Sequence, residues 1–469
     1  MKKLYILMLF AVVASVCTAQ QVCRLGFDYE ISTNKNWGTG KPVVTEVTPY
    51  TGAETAGLKV NDIILAIDNV PVGDVTPPEI ADLLNRGDTD QIILMVSNLA
   101  DTAKVVRMRR DCKPANAITE EQLASAFSFY SLENTSERLI VFPFKTVVTQ
   151  KNNDFLQYRS FDFAPVDEAN QALEQGINSV IEKCLIDKGM KRDVISPALV
   201  VQTFYFFDKN PNYRATAKPL TEKEPVYRFN YLQNKMERVP FLSNYTVSTD
   251  AIYLMQLGVR IIEKKSGDVL WECEANEMLE QPYNLEKYAA NHIPIMLLQY
   301  PYVKYEQNVP VMFNHKAYNY TGIHYSIDNL QQVVSIDPNS PASIAGIQPN
   351  DQIGEIDGKK LSGSTDELTS AYRQFITNTM KLRDSETLFT DANGFTRCMY
   401  WDVKKYAQVA SAIRRNSNQA VFAYLYKFEP YVEPSGGNNA STFQLVKGKN
   451  KTNVVIRPTI RTQMVISVY

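Results

Sequence analysis

The sequence has few of the residues that carry out chemistry. It contains three histidines, His292, His315 and His324, and none stands in the His-Glu-x-x-His spacing that places two zinc ligands on one helix face. The Gly-x-Ser-x-Gly sequence of a serine nucleophile elbow is missing, as is the Asp-Thr/Ser-Gly sequence of aspartic peptidases. The sequence therefore predicts a protein that is not an enzyme and that binds no metal or other cofactor.

An excess of charge of one sign is also lacking. The 49 Lys and Arg residues are balanced by 51 Asp and Glu residues, which leaves a formal net charge of −2. Proteins that bind nucleic acid usually carry a positive excess that meets the phosphates. We therefore predict no nucleic-acid partner.

Hydrophobic runs are short, and the most apolar one lies at the N-terminus. Lys2 and Lys3 precede an apolar run from Leu4 to Val16, which is too short to span a bilayer. This pattern is typical of a secretory signal peptide, and we predict that residues 1–19 are removed after Ala19. Lipoprotein processing at Cys17 is the alternative, which Val16 before it disfavours. The mature protein is thus expected to be exported to the periplasm or cell envelope of a bacterium without spanning the membrane.

Cysteine is scarce as well. Six are present, and five would remain after cleavage: Cys23, Cys112, Cys184, Cys273 and Cys398. No pair has the close spacing of a zinc site or of a redox Cys-x-x-Cys.

A repeated segment is the most informative feature that is present. Residues 44–69 align without a gap with residues 333–358, in a chain whose 469 residues allow about three domains. Such widely separated copies indicate two domains of one fold rather than a solenoid. The identical pairs are Val44/Val333, Pro49/Pro338, Ala53/Ala342, Ala56/Ala345, Gly57/Gly346, Asn61/Asn350, Asp62/Asp351, Ile64/Ile353, Ile67/Ile356 and Asp68/Asp357.

Both copies resemble the middle of the PDZ domain, which runs as a strand, a small helix ending in Ala-Gly-Leu, an Asp turn and a strand ending at Asn-Gly. The resemblance implies two partly open β-barrels that bind a protein or peptide ligand by adding it as a strand to a sheet edge. A terminal carboxylate would be held by the backbone N–H groups of a glycine loop.

The first PDZ-like unit is placed at residues 22–112, where Arg24-Leu25-Gly26-Phe27 occupies the position of the carboxylate loop. The resemblance gives the residues of this stretch three roles. Leu25, Gly26 and Phe27 hold the carboxylate and the terminal side chain, Arg24 adds charge, and Asp28 and Tyr29 flank the added strand. The ends of the unit lie close together in this fold, so Cys23 and Cys112 could form a disulfide in an oxidising compartment.

A helix should line the first groove. Thr76 and Glu79 are spaced for a capping box, with prolines tolerated in the first turn between them. Thr76 stands about where the family has its specificity residue. Ile80 and Leu83 either wall the peptide pocket or simply pack in the core.

The second PDZ-like unit is placed at residues 311–469, with a large insertion at about 362–440. Thr321, Gly322 and Ile323 form its carboxylate loop, in which threonine replaces the usual apolar residue. His324 follows this loop and either contacts a ligand or is an ordinary strand residue without a role in binding. The sequence leaves open which helix lines this groove.

Between the units, residues 113–138 look like a polar, partly helical linker, and residues 139–303 like an α+β domain. The α+β domain is predicted from three features, Asp187-Lys188-Gly189, Leu199-Val200-Val201 and the hairpin sequence from Ser266 to Trp271. They resemble a domain of unknown function found in exported envelope proteins and lipoproteins of Gram-negative bacteria.

The sequence thus predicts a multidomain, β-rich protein with two PDZ-like units flanking a central α+β domain. Its expected function is non-catalytic capture of peptide segments or C-termini in the bacterial envelope. Two alternatives stay open. The protein could present substrates to a separate periplasmic protease, or it could be a structural envelope component whose grooves are filled internally.

Overall fold

The computed structural model describes residues 21–86, 89–126, 137–149, 154–210, 226–230, 235–239, 252–279, 281–388 and 440–469, together with residues 399, 401–405, 407–408 and 411. The predicted signal peptide, Cys17, Cys398 and most of the predicted insertion beyond residue 388 lie outside the described residues.

The first PDZ-like unit is a twisted antiparallel sheet with one short and one longer helix. Its sheet has the order β2-β3-β4-β6-β7 with β5 beside β4, while β1 and β8 form a separate ribbon closed by the Cys23–Cys112 disulfide. The elements are β1 (Gln21–Arg24), β2 (Phe27–Ile31), β3 (Pro42–Val47), α1 (Gly52–Thr55), β4 (Ile63–Ile67), β5 (Val70–Pro71), α2 (Pro77–Asn85), β6 (Gln91–Ser97), β7 (Lys104–Arg109) and β8 (Asp111–Pro114).

Strand β4 is apolar at every position because both of its faces are covered. Ile64 and Ile67 lie in the core of the first unit, whereas Ile63 and Leu65 pack against the core of the central domain. Residues that alternate between two cores make the sequence read as a continuous hydrophobic run. The first unit is therefore packed onto the central domain.

Two elements follow the first unit, and the central domain comes after them. The connecting elements are β9 (Ala117–Thr119) and α3 (Glu120–Ala126). The central elements are β10 (Glu137–Val148), β11 (Ser160–Phe163), α4 (Gln171–Asp187), β12 (Lys191–Arg192), β13 (Leu199–Lys209), β14 (Val226–Asn230), β15 (Lys235–Val239), β16 (Tyr253–Glu263), β17 (Val269–Leu279) and α5 (Leu285–Leu297).

The second PDZ-like unit repeats the first with a longer groove helix. Its elements are β18 (Gln307–Tyr320), β19 (Ile323–Ser326), β20 (Val333–Ile336), α6 (Pro341–Ile344), β21 (Gln352–Ile356), β22 (Lys359–Lys360), α7 (Thr365–Thr379), β23 (Ser441–Lys447), β24 (Asn450–Ile456) and β25 (Thr459–Val468). Apart from β18 and β25, its strands form two sheets, β20-β19 with the connecting strand β9 at its edge, and β22-β21-β23-β24.

The central sheet has eight strands in the order β12-β11-β13-β16-β17-β10-β18-β25. Helices α4 and α5 pack on it, with Ile181 and Ile293 in one core with the buried Trp271. Trp271 lies on the predicted hairpin β16–β17 and packs in this core. The predicted multidomain, β-rich organisation is confirmed, although the sheets of both PDZ-like units stay open over the described residues rather than closing into barrels.

The structure divides the chain differently from the sequence prediction at two points. Strands β18 and β25 extend the central sheet, although both fall in the predicted second unit. The predicted linker is no spacer either, because β9 pairs with β19 of the second unit. Both differences come from pairing between strands far apart in sequence, which a local pattern does not reveal.

Candidate peptide-binding grooves

The first groove lies between the edge strand β2 and helix α2. Strand β2 pairs with β3 on one side and with no described strand on the other. Phe27 is paired with Val47 of β3. The hydrogen bond beside this pair, from Thr48 N to Gly26 O at 2.9 Å, joins the residues that flank it, so Phe27 and Val47 form a non-hydrogen-bonded pair. In such a pair the N–H points away from the partner strand. Phe27 N therefore faces the open side, where an added strand would lie.

The loop before β2 adopts the conformation that its glycine makes possible. Gly26 has φ of +77°, in the left-handed region that other residues avoid. A Cβ at this position would lie 2.6 Å from the Thr51 side chain. Glycine is thus required by both its backbone angle and its close neighbour.

The amides of this loop are available for a ligand. The N–H groups of Leu25 and Gly26 have no hydrogen-bond acceptor among the residues that the structure describes. Together with Phe27 N, they form a run of consecutive N–H groups, the type of concave surface that binds anions. Arg24 and Asp28, beside this run, are both exposed.

The side chains predicted to line the first groove divide between core and surface. Phe27, Ile80 and Leu83 are buried in one cluster, so Ile80 and Leu83 act as core residues beneath the groove. Tyr29 is half-buried, and burial raises the pKa of its hydroxyl. Thr76 is exposed before α2, where its N–H donates to the Glu79 carboxylate at 2.7 Å, as the capping-box spacing predicts.

Arg110 is a further residue at this loop that the sequence reasoning missed. It follows Val106 and Met108 on the inward face of β7, and only 6% of it is exposed. Its Nε and Nη2 have no hydrogen-bond partner among the described residues. Asp111 pairs with Arg24, so the backbone of Arg110 adjoins the end of the β1–β8 ribbon that leads into the carboxylate loop. The sequence signal was a charged residue at an inward position of an alternating strand.

The second carboxylate loop already holds a carboxylate, which comes from Glu120. Its Oε2 accepts hydrogen bonds from Thr321 N at 2.8 Å and Gly322 N at 2.9 Å, and its Oε1 contacts the Thr321 hydroxyl. Gly322 has φ of +87°, as Gly26 does in the first loop. Thr321 is fully buried and only 2% of Glu120 is exposed.

A strand accompanies this carboxylate. Strand β9 pairs antiparallel with β19, placing Thr119 opposite His324 and Ala117 opposite Ser326. The chain thus runs along β19 toward the loop, as a bound C-terminal peptide would in this fold. Helix α7 follows β21 and β22 as α2 follows β4 and β5, which identifies α7 as the helix of this groove, and Leu123 of α3 and Leu368 of α7 belong to the same buried cluster.

His324 is held by its own domain. Its Nδ1 lies 2.7 Å from the Ser335 hydroxyl, and its Nε2 lies 3.1 Å from Asp337 Oδ1. Asp337 also accepts from Lys113 Nζ at 2.8 Å and from the Tyr320 hydroxyl at 2.6 Å. Burial raises the pKa of Asp337, but hydrogen bonds from these three residues and the charge of His324 outweigh it and hold the pKa well below its usual range.

The described residues contain no cluster of His, Cys, Asp and Glu that could hold a metal ion. Within the same ranges, no helix has both the length and the apolar character needed to cross a membrane.

Comparison with known proteins identifies the modules. The profile of the PDZ domain matches residues 43–98 and 332–373, and that of a domain of unknown function (DUF4136) matches residues 146–302. Both PDZ matches begin after the carboxylate loop and its strand, at β3 in the first unit and just before β20 in the second, and extend into or past the long helix of the unit. The described sheets and these matches agree on the order of the three modules.

Among solved structures, the chain is similar to a PDZ domain protein from Parabacteroides distasonis ATCC 8503. The two are 51% identical, the match covers 96% of this chain and 100% of that one, and the TM-score is 0.81. A PelC dodecamer from Paraburkholderia phytofirmans is 10% identical over 34% of this chain and 92% of that one, with a TM-score of 0.16 that supports no argument. No curated protein matches the sequence.

Proposed function

Because the chain belongs to a family of PDZ domain proteins and carries two PDZ domains that flank a DUF4136 domain, we propose that its first PDZ domain captures extended peptides that end in a free carboxylate. The protein acts by binding other proteins and catalyses no reaction. PDZ domains imply a protein or peptide partner, and the two grooves differ in whether that partner can enter.

One observation carries this proposal. Leu25 and Gly26 correspond to Thr321 and Gly322, whose N–H groups bind the Glu120 carboxylate in the second domain. Both glycines have positive φ, and their carbonyls accept equivalent 2.9 Å hydrogen bonds, from Thr48 N directly after β3 and from Asp337 N directly after β20. The second loop therefore demonstrates in the same chain what this backbone binds. The first loop offers the same N–H groups to a ligand from outside.

The edge strand supports the same mode of binding. The outward N–H of Phe27 is placed to continue a ladder with an added strand, since a main chain that pairs with a sheet edge satisfies both partners. Leu25 and Tyr29 are half-buried and pack against the core. They present apolar surface beside the loop to the last side chain of the ligand.

Arg110 and Arg24 supply positive charge to the same place. A buried guanidinium without a partner is costly, and an anion beside it removes much of the cost. The terminal carboxylate of a peptide is an anion of the required size next to Leu25. We assign Arg110 the role of its counter-charge, while the exposed Arg24 steers the ligand.

We further propose that the protein is exported and works in the periplasm or cell envelope. The basic start and apolar run of residues 1–19 support this, and the Cys23–Cys112 disulfide is typical of an oxidising compartment. Intact-mass analysis of the protein expressed in a bacterial host is expected to give a chain that begins at Gln20. A chain that retains residue 1, or one that begins with a lipid-modified Cys17, would contradict cleavage after Ala19.

The peptide-binding proposal is tested by calorimetric titration of the chain from residue 20 onward. The ligands are matched peptides, one with a free C-terminus and one amidated, selected from a library of C-terminal sequences. Hydrogen bonds to a charged group are worth about 1.5–3 kcal/mol, so amidation should weaken binding on the order of ten- to a hundredfold. Equal affinity for the two forms would show that the first groove does not read C-termini.

A structural role is the second candidate, and one observation favours it for the second domain alone. The groove beside β19 is occupied by the protein's own chain. A domain filled in this way contributes to the shape of the protein rather than to capture.

A further inference from the structure

We propose that residues 117–120 are a built-in ligand of the second PDZ domain, which recognises an extended segment through a side-chain carboxylate instead of a chain terminus. The occupant of the groove is this chain itself. The inference concerns the second groove and does not depend on whether the first groove binds a peptide.

Strand pairing is the first part of the recognition. Strand β9 is the third strand of the sheet β20-β19-β9 and covers the edge that a PDZ ligand uses. The pairing is extended by Ile327 N, which donates to Asn116 O at 2.8 Å. The main chain of β19 thus has no free edge at the positions that an outside peptide would need.

The carboxylate is the second part. A PDZ ligand ordinarily offers its terminal carboxylate to the loop, but here the chain continues into α3 and the Glu120 side chain supplies the acceptor. Thr119 makes this geometry possible because it caps α3, which begins at Glu120. Gln122 N donates to the Thr119 hydroxyl at 3.1 Å, and Thr119 N donates to Gln122 Oε1 at 2.8 Å. The chain therefore turns away immediately after the groove, and the carboxylate stays in the loop.

The loop is matched to this ligand. Thr321 replaces the apolar residue usual at its position, and its hydroxyl contacts Glu120 Oε1 in addition to the two backbone hydrogen bonds. Leu25 at the corresponding position of the first loop has no hydroxyl to offer. A buried carboxylate needs more hydrogen-bond donors than an exposed carboxylate, which also binds water. The Thr321 hydroxyl supplies such a donor in a loop that holds its carboxylate permanently.

The residues on either side of the segment fasten it. Lys113 pairs with Asp337 at 2.8 Å before β9, and Leu123 is buried in the core of the second domain after it. Because the segment is covalently attached, its effective concentration at the groove far exceeds that of a free peptide. The second groove is therefore closed to outside ligands in the intact protein.

Reconstitution of the groove from two pieces tests the proposal. In the full chain, residues 117–120 are replaced by Gly-Ser-Gly-Ser, and the probe is a peptide of residues 114–126 that is acetylated and amidated so that it has no free terminus. The replaced chain should bind this peptide, and the unaltered chain should bind it at least tenfold more weakly. The same peptide with glutamine in place of Glu120 should bind the replaced chain on the order of ten- to a hundredfold more weakly than the parent peptide.

Two results would overturn the proposal: a folded replaced chain that does not bind the peptide, or equal binding by the unaltered chain. A second measurement avoids the replacement altogether. In Glu120→Ala, hydrogen exchange of residues 318–326 should be about tenfold faster than in the unaltered chain while β3 keeps its protection. Glu168→Ala, which removes the same charge from an exposed position of the central domain, should leave residues 318–326 unchanged. Unchanged exchange in Glu120→Ala would rule out a ligand role for Glu120.

Discussion

The two PDZ domains of this protein share a loop, a groove helix and a repeated middle, yet one groove is open and the other is filled. In the first domain, Leu25 and Gly26 present N–H groups without a described acceptor, and β2 is an edge strand. In the second, the equivalent N–H groups bind Glu120, and β9 lies against β19. Under the proposed function, the first domain binds a peptide from outside, whereas the second binds a segment of its own chain.

The charges beside the two loops follow this difference. Val106 and Val454 occupy equivalent positions in the two domains. In each sheet, one strand separates this valine from the repeated isoleucine with which it is in register, Ile67 in the first domain and Ile356 in the second. Four residues later the first domain has the buried Arg110, and the second has Pro458. Among the described residues, a buried arginine whose Nε and Nη2 lack a partner thus accompanies the first loop, and the equivalent position in the second domain is a proline. Under the proposed function, Arg110 and the first loop belong to one binding site.

Replacing the loop glycines should have the largest effect, because each is constrained twice. Gly26→Ala and Gly322→Ala place a Cβ within 2.6 and 2.3 Å of a neighbouring side chain at positive φ. Left-handed backbone costs about 1–2 kcal/mol and overpacking about 1–3 kcal/mol, so each change should lower the free energy of unfolding by about 2–4 kcal/mol. Peptide binding should be weakened only by Gly26→Ala. Urea denaturation and calorimetry measure the two effects.

Gly40→Ala is the matched control for these glycines. Gly40 has φ of +74° in the first domain, but a Cβ there meets nothing within 4 Å. Gly40→Ala should therefore lower the free energy of unfolding only by the cost of the left-handed backbone. If Gly26→Ala destabilises no more than Gly40→Ala, the close contact with Thr51 is not a constraint on the loop.

The disulfide should stabilise the first domain selectively. Cys23 and Cys112 close the β1–β8 ribbon, whereas the equivalent residues of the second domain, Asn319 and Ile460, lie in the long β18–β25 ladder. Cys23→Ser with Cys112→Ser should cost about 2–4 kcal/mol, because the closed loop spans 89 residues. Hydrogen exchange should become faster across β2–β7. Equal loss of protection in both domains would contradict a selective effect, and Cys184→Ser serves as the cysteine control.

Replacing Arg110 should weaken peptide binding without lowering the stability of the protein. Arg110→Met removes a buried unpaired charge and keeps most of the side-chain volume, so the protein without ligand should be unchanged or more stable by about 1 kcal/mol. Affinity for the free-acid peptide should nevertheless fall about tenfold, while affinity for the amidated peptide stays the same. Arg107→Met, on the exposed face of β7, is the control. A clear loss of stability without loss of affinity would make Arg110 a packing residue.

The smallest effect is a pH dependence at the second domain. The pKa of Asp337 lies below its unfolded value of about 3.8, so this residue adds stability above pH 4 that is lost as the pH falls below it. Asp337→Asn should destabilise by about 1–2 kcal/mol at pH 7, and the difference from the unaltered protein should shrink between pH 4 and pH 2. Denaturation at several pH values measures this. A difference that stays constant down to pH 2 would contradict the role of the Asp337 charge.

Much of the organisation could be predicted from local sequence. The repeated pairs located both PDZ domains, Ser266-Gly267-Asp268 predicted the hairpin β16–β17, and Thr76 with Glu79 predicted the start of α2. These signals are local because turns, caps and alternation depend on neighbouring residues. The positions of both carboxylate loops came from the resemblance to the PDZ domain, and the structure has a glycine of positive φ at each of them, Gly26 and Gly322.

The filling of the second groove could not be predicted in the same way. Glu120 and Thr321 are 201 residues apart, and the whole central domain lies between them in the sequence. Two local hints were present, namely the Thr119–Gln122 helix start inside a supposed linker and the unusual threonine in the loop. Each is weak alone, and only the folded chain brings them together.

A crystal structure of the full mature chain grown with a free-acid peptide tests the account most directly. We predict one peptide per chain, paired with β2 and with its terminal carboxylate at the N–H groups of Leu25 and Gly26, while residues 117–119 remain beside β19 and Glu120 remains on Thr321. A peptide seated beside β19 with Glu120 displaced, or a chain whose β2 edge stays bare while the peptide binds elsewhere, would contradict it.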